Sequence, residues 1–153
     1  MPSDALRDFL TEHGFGPDEV NGRNGDGATP LMVAARRATA ALAQELLDAG
    51  ADLDAENADG NQALWLACVT ENIETIELLI AAGIDVQHVN ATGATPLMFA
   101  ASSGRARAVA RLLAAGADPL FETGLGLTAL DMASTFECLS LMRAAAKRPA
   151  AGG

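Results

Sequence analysis

Basic side chains are scarce in this chain. Of 153 residues only ten are Lys or Arg, nine of them Arg, against 20 Asp and Glu, which leaves a net charge of −10. Affinity for nucleic acid and for anionic membranes is supplied mainly by Lys and Arg, so neither is an expected partner. Cysteine is almost as rare: Cys68 and Cys138 lie 70 positions apart and give no metal-ligand spacing. Tyrosine is absent, Trp65 is the single tryptophan, and His13 and His88 are the two histidines. No apolar run reaches the length of a membrane span, because Gly, Asp or Thr interrupts each one. The opening MPSDALRDFL has neither the basic nor the apolar region of a secretory signal. These absences lead us to expect a cytoplasmic protein without disulfides, bound metal or cofactor. A 50% apolar content with 20% charged residues also excludes a disordered acidic chain.

What charge there is falls unevenly. Between Arg37 and Arg105 no Lys or Arg occurs, yet this 67-residue interval holds ten carboxylates: Glu45, Asp48, Asp52, Asp54, Glu56, Asp59, Glu71, Glu74, Glu77 and Asp85.

The chain repeats itself every 33 residues. Gly27, Gly60, Gly93 and Gly126 keep that interval, as do Leu31, Leu64, Leu97 and Leu130, and Ala34, Ala67, Ala100 and Ala133. Residues 24–56 and 90–122 share 17 identities in 33 positions. Each unit reads as helix, turn, helix, loop. Thr29-Pro30 and Thr95-Pro96 open a helix, Thr as cap and Pro at the first helical position. Paired large apolar residues mark a second helix at Leu46 and Leu47, Leu79 and Ile80, and Leu112 and Leu113. Gly50, Gly83 and Gly116 end it, and a polar stretch such as 52–60 leads to the next unit. In the middle unit Gln62-Ala63 replaces Thr-Pro, which removes a cap worth about 1 kcal/mol.

The motifs GATPLMVAA…LLDAGAD and GATPLMFAA…LLAAGAD resemble the ankyrin repeat, and the resemblance covers residues 24–146. It implies an all-α solenoid of stacked antiparallel helix pairs with projecting hairpin-like fingers. We divide the chain into a capping helix and loop (1–23), repeats at 24–56, 57–89 and 90–122, a shortened capping repeat (123–148) and a disordered tail (149–153). Ser3 should cap the first helix, Leu6, Phe9 and Leu10 form its apolar face, and Gly14 ends it. Leu141 and Met142 arrive about four residues early against Leu112 and Leu113, so the turn inside the last unit is expected to be clipped.

The resemblance further implies a non-catalytic module that binds another protein through its finger tips and first helices, here as a monomer. Those positions are Asp26, Arg36 and Arg37 in repeat one, and Asp59, Asn61, Val69 and Thr70 in repeat two. Repeat three gives Thr92, Ser102 and Ser103, and the last finger gives Leu125, beside Leu127 and Phe121. That last finger either extends the binding surface or folds back over the end of the stack. The family usually has His after the Leu of its TPL motif, bonded between fingers; here the row reads Met32, Trp65, Met98, Asp131. The polar network is then lost, and Met and Trp are either core or an exposed strip in the groove.

Asp54, Glu56 and Asp59 cluster on one finger and suit a partner with a basic patch. The other carboxylates read as turn residues (Asp52, Asp85, Asp118) or as helix-terminal and solvating ones (Glu71, Glu74, Glu77). A second reading makes the chain an acidic regulator that occupies a basic anion-binding site of a partner enzyme. A metal carrier or small enzyme would need clustered ligands or a nucleophile with a base. Cys68 sits in a small-residue row and reads as a buried, inert thiol.

Overall fold

In a computed structural model the chain is described at residues 2–37 and 39–147. Among these residues every regular element is helical. The elements are α1 (Asp4–Glu12), α2 (Pro30–Arg37), α3 (Ala40–Asp48), α4 (Ala63–Val69), α5 (Ile73–Ala81), α6 (Pro96–Ser102), α7 (Ala106–Ala114), α8 (Ala129–Met132) and α9 (Phe136–Ala146). Arg148 and the tail expected to be disordered lie outside the described residues.

The helices form two layers. First helices α2, α4, α6 and α8 stack on one another, second helices α3, α5, α7 and α9 do the same behind them, and each pair packs face to face. Small side chains let the front layer approach closely: Ala34, Ala35, Ala67, Cys68, Ala100 and Ala101 are all fully buried. Leu46, Leu79, Leu112 and Met142 fill the space between the layers. Helix α1 packs against α3 at the N-terminal end of the stack. Ser3 accepts from the Leu6 amide, and Leu6, Phe9 and Leu10 are buried. Gly14 follows at φ +87, a left-handed conformation that glycine adopts without steric cost. The Ser3 amide and hydroxyl both donate to the Glu45 carboxylate, at 2.6 and 2.9 Å, fastening α1 to α3.

The shortening in the last pair lies elsewhere than expected. Helix α8 has four residues where α6 has seven, and α9 starts 30 positions after α7, at Phe136 against Ala106. The first helix has therefore lost its last turn, and Met142 takes the place of Leu112 three residues early, not four.

The fingers are turns rather than strand-paired hairpins. In each, a side-chain oxygen holds the tip. Asn24 accepts from the amides of Asp26 and Ala28, Asn57 from Asp59 and Asn61, Asn90 from Thr92 and Ala94, and the Thr123 hydroxyl from Leu125 and Leu127. This side-chain mimicry of a backbone turn is the usual role of Asn in loops.

Candidate interaction surface

The residue three positions into each first helix decides what that helix start exposes. Thr29, Thr95 and Thr128 cap α2, α6 and α8 by accepting from the amides of Met32, Met98 and Asp131. The reciprocal bond runs back from the Thr amide to the Met32 sulfur at 3.5 Å, the Met98 sulfur at 3.4 Å and the Asp131 carboxylate at 3.0 Å. This is a capping box, closed by a thioether in two repeats. Met32 and Met98 are accordingly only 1% exposed. They belong to the core, and we withdraw them from the surface proposed for this row.

Trp65 behaves differently. Its repeat has Gln62 at the cap position, and Gln62 makes no side-chain cap. Its Nε2 donates instead to the Asp54 carbonyl, while its Oε1 is buried without a partner among the described residues. With no box to close, Trp65 remains half-buried and packs against Phe99 of α6, ring centroids 5.0 Å apart. Of the Met-Trp-Met row, only the tryptophan reaches the surface.

The remaining positions divide by exposure. Arg36, Arg37, Thr70, Ser102 and Ser103 are exposed at the C-terminal ends of α2, α4 and α6, with Val69 half-buried beside them. Asp26, Asp59 and Thr92 are exposed at three successive finger tips, and Leu125 is 88% exposed at the fourth. That exposure rules out the folded-back arrangement of the last finger; Phe121 alone turns inward against the core. Asn61 is withdrawn as a contact residue, because it is 7% exposed and its Oδ1 accepts from Asn90 Nδ2 at 2.9 Å. It ties one finger to the next.

A cleft of about 430 Å³ brings Asp26, Arg36 and Arg37 together with Glu12 and His13 of the capping helix's end. Sequence reasoning missed Glu12 and His13 as neighbours of repeat one, since only the docking of α1 puts them there. It also missed His88. The ring Nε2 lies 2.7 Å from the Glu56 carboxylate and 2.9 Å from the Gly60 carbonyl, linking the second and third fingers. The inter-finger polar network is thus not lost but moved, from the helix start to the lead-in of the finger. Gly60 allows the close approach: a Cβ there would meet the Ala91 amide nitrogen at 2.8 Å.

The ten carboxylates of the Arg-free interval now sort by what they hold. Glu45 binds Ser3, Asp48 accepts from Gln44, and Asp52 and Asp85 accept from amides two residues on. Glu56 faces His88 and Glu77 pairs with Arg111. Glu71 precedes α5 rather than lying on it. It adopts φ +51 in the row that carries Gly104, and its Oε2 accepts from the Ala108 amide of the next repeat at 3.1 Å. Ala108 is the third residue of α7, whose own cap position, Arg105, supplies no acceptor. Asp54, Asp59 and Glu74 are left without a partner for their carboxylates among the described residues.

This array of helix pairs, Asn-held fingers and Gly-terminated second helices coincides with what family comparison finds. A family model described as ankyrin repeats in three copies matches residues 3–90, and a second, described as ankyrin repeats in many copies, matches residues 79–133. The chain belongs to the ankyrin-repeat family. Ankyrin repeats indicate a protein–protein interaction module, generally a non-catalytic one. Among the described residues no helix is long and apolar enough to cross a membrane, and no group of three His, Cys, Asp or Glu is placed to hold a metal ion. Cys68 is buried, and desolvation, aided by the nearby Glu71 charge, pushes its thiol up to about 12. A thiol in that state is no nucleophile.

Proposed function

We propose that this ankyrin array binds a partner protein through its finger tips and first-helix ends, and that the partner presents a basic segment to the second finger. One observation carries the reading. Asp54 and Asp59 are exposed carboxylates of that finger with no partner of their own among the described residues, and the finger leads directly into α4, which carries the half-buried Trp65. Aromatic anchors of this kind dominate interface energetics, and unpaired rim charges steer encounter more than they add affinity. No Lys or Arg occurs from 38 to 104. The cations that reach these repeats come from outside that interval: Arg23 donates to the Glu56 carbonyl and Arg111 pairs with Glu77, while the Asp54 and Asp59 carboxylates stay unengaged. Glu56 contributes less than its neighbours because it is already engaged with His88. Asp26, Arg36 and Arg37 form a mixed-charge extension toward the capping helix, Thr70, Thr92, Ser102 and Ser103 give the surface its polar breadth, and the half-buried Val69 adds an apolar contact beside them. Leu125, exposed at the tip of the last finger, extends the surface to the far end of the array.

The test is affinity capture from the source cells with the full chain, repeated with Asp54→Asn/Asp59→Asn and with Trp65→Ala. A specific partner should be lost with Trp65→Ala. With the Asn variants it should associate more slowly at low salt and at the wild-type rate at high salt. Capture unaffected by either change would place the interface elsewhere.

A further inference from the structure

Cations are rare in this chain, and those that precede α2 are engaged. Arg7 pairs with Asp18, and Arg23 donates to the Gly27 and Glu56 carbonyls. Arg36 and Arg37, in the last turn of α2, have no acceptor among the described residues, although 20 carboxylates stand against ten basic residues. A helix C-terminus favours positive charge and accounts for a basic residue there. It does not account for the other donors that face the same cleft of about 430 Å³. Asn24 and Asn57 both line it. Each accepts two amides of its own finger through Oδ1, which leaves the Nδ2 group pointing away from the turn. In the third finger that group is used, since Asn90 Nδ2 donates to Asn61 Oδ1 at 2.9 Å. One repeat earlier the place of Asn61 is held by Ala28, whose side chain has no acceptor, so Asn57 Nδ2 has no partner among the described residues. Asn24 Nδ2 is unengaged in the same sense. His13 adds its Nε2, because Nδ1 lies 2.8 Å from the Phe9 carbonyl and carries the proton of that bond.

We infer that this cleft seats a carboxylate of the partner, an Asp or Glu side chain in the segment whose basic part meets the second finger. This placement rests on the partner's lying along the finger face, of which the cleft is one end. A guanidinium fork beside carboxamide donors matches a planar carboxylate, which accepts from two donors at once. A neutral segment covering the cleft would strip water from two cations and return no charge to them. A phosphate is disfavoured for the opposite reason: Glu12 and Asp26 line the same cleft and repel a second negative charge. The face therefore runs from free donors at the first repeat to free carboxylates at the second finger. A segment with acidic and basic residues spaced to match fits it in one register, and a segment of uniform charge meets repulsion at one end.

The probe is the acetylated and amidated tetrapeptide Gly-Asp-Glu-Gly, titrated into the full chain at physiological salt and followed by heteronuclear NMR. The expected result is a saturable shift of the Asn24 and Asn57 Nδ2 and the Arg36 and Arg37 Nε signals, absent with the amide peptide Gly-Asn-Gln-Gly. Arg36→Gln/Arg37→Gln should weaken the acidic peptide by about tenfold or more. Asp26→Asn should tighten it, and Arg143→Gln, at an exposed cation on α9, should change nothing. No saturation by the acidic peptide, equal binding of the amide peptide, or undiminished affinity in the Arg variant would each overturn the inference. So would inorganic phosphate moving the same signals at lower concentration, which would make the cleft a general anion site. If the Arg variant melts early, the comparison of the two peptides on the wild type decides. The second-finger reading stands or falls on Trp65→Ala and Asp54→Asn/Asp59→Asn, none of which enters this titration, so either can fail alone.

Discussion

Changing Glu71 to Ala and to Gly separates two opposed effects carried by one residue. A non-glycine residue in the left-handed region costs about 1–2 kcal/mol. Glu71 accepts that cost at φ +51, and in return its carboxylate caps α7 at the Ala108 amide. A cap of this type contributes about 1–2 kcal/mol, with the anion also favoured by the helix N-terminus. Ala keeps the strained backbone and loses the cap, so Glu71→Ala should be less stable than wild type by about 1–2 kcal/mol. Gly loses the cap but relieves the strain, so Glu71→Gly should fall within about 1 kcal/mol of wild type and above the Ala variant. For a domain of this size 1 kcal/mol moves the melting temperature by about 2–4 °C, so calorimetry or circular dichroism resolves the order. Hydrogen exchange supplies an independent readout, since protection of the Ala108 amide should drop in both variants. An Ala variant as stable as wild type, or a Gly variant below the Ala variant, would refute the reasoning.

Restoring the missing cap should have the opposite sign. Gln62→Thr adds an N-cap and removes a buried orphan carbonyl at the loss of one hydrogen bond to Asp54, for a net gain of about 1–2 kcal/mol by urea denaturation; no gain would mean that the orphan is satisfied in solution. The Glu45 carboxyl is held below its ordinary value by the Ser3 amide, then by the Ser3 hydroxyl. Because the folded-state value is the lower one, the stabilisation is full above the ordinary value near 4.5 and is lost as pH falls through the folded value. Exchange protection of α1 should therefore fall in that acidic window ahead of α4 to α7, and Glu45→Gln should abolish the difference. Both thiols are buried, Cys68 with its raised pKa, so Ellman's reagent should titrate neither in the folded protein and both in denaturant. Rapid labelling of the native chain would contradict that packing.

The 33-residue period made the helix pairs, the Thr caps and the glycine terminators legible, because each follows from local chemistry repeated in register. Interactions between repeats were less so. Glu71 stands in the Gly104 row, and a non-glycine residue there was the available signal that a side chain compensates for strain. The amide that donates to it, however, is 37 residues away and on another helix pair. His88 lies in no histidine motif, so its bridge to Glu56 and Gly60 emerges only when the fingers are stacked. Met32 and Met98 could be read either as core or as a groove lining, because their row is aligned with a family histidine. Their sulfurs instead close capping boxes, and that turns them inward.

The central claim is that the partner reads the second finger and Trp65. Stopped-flow association of the captured partner with the wild type and with Asp54→Asn/Asp59→Asn, across a range of salt concentrations, tests it most directly. The account predicts a wild-type rate that falls steeply with salt and a variant rate that falls much less, the two converging at high ionic strength. Identical salt slopes for the two proteins would contradict it.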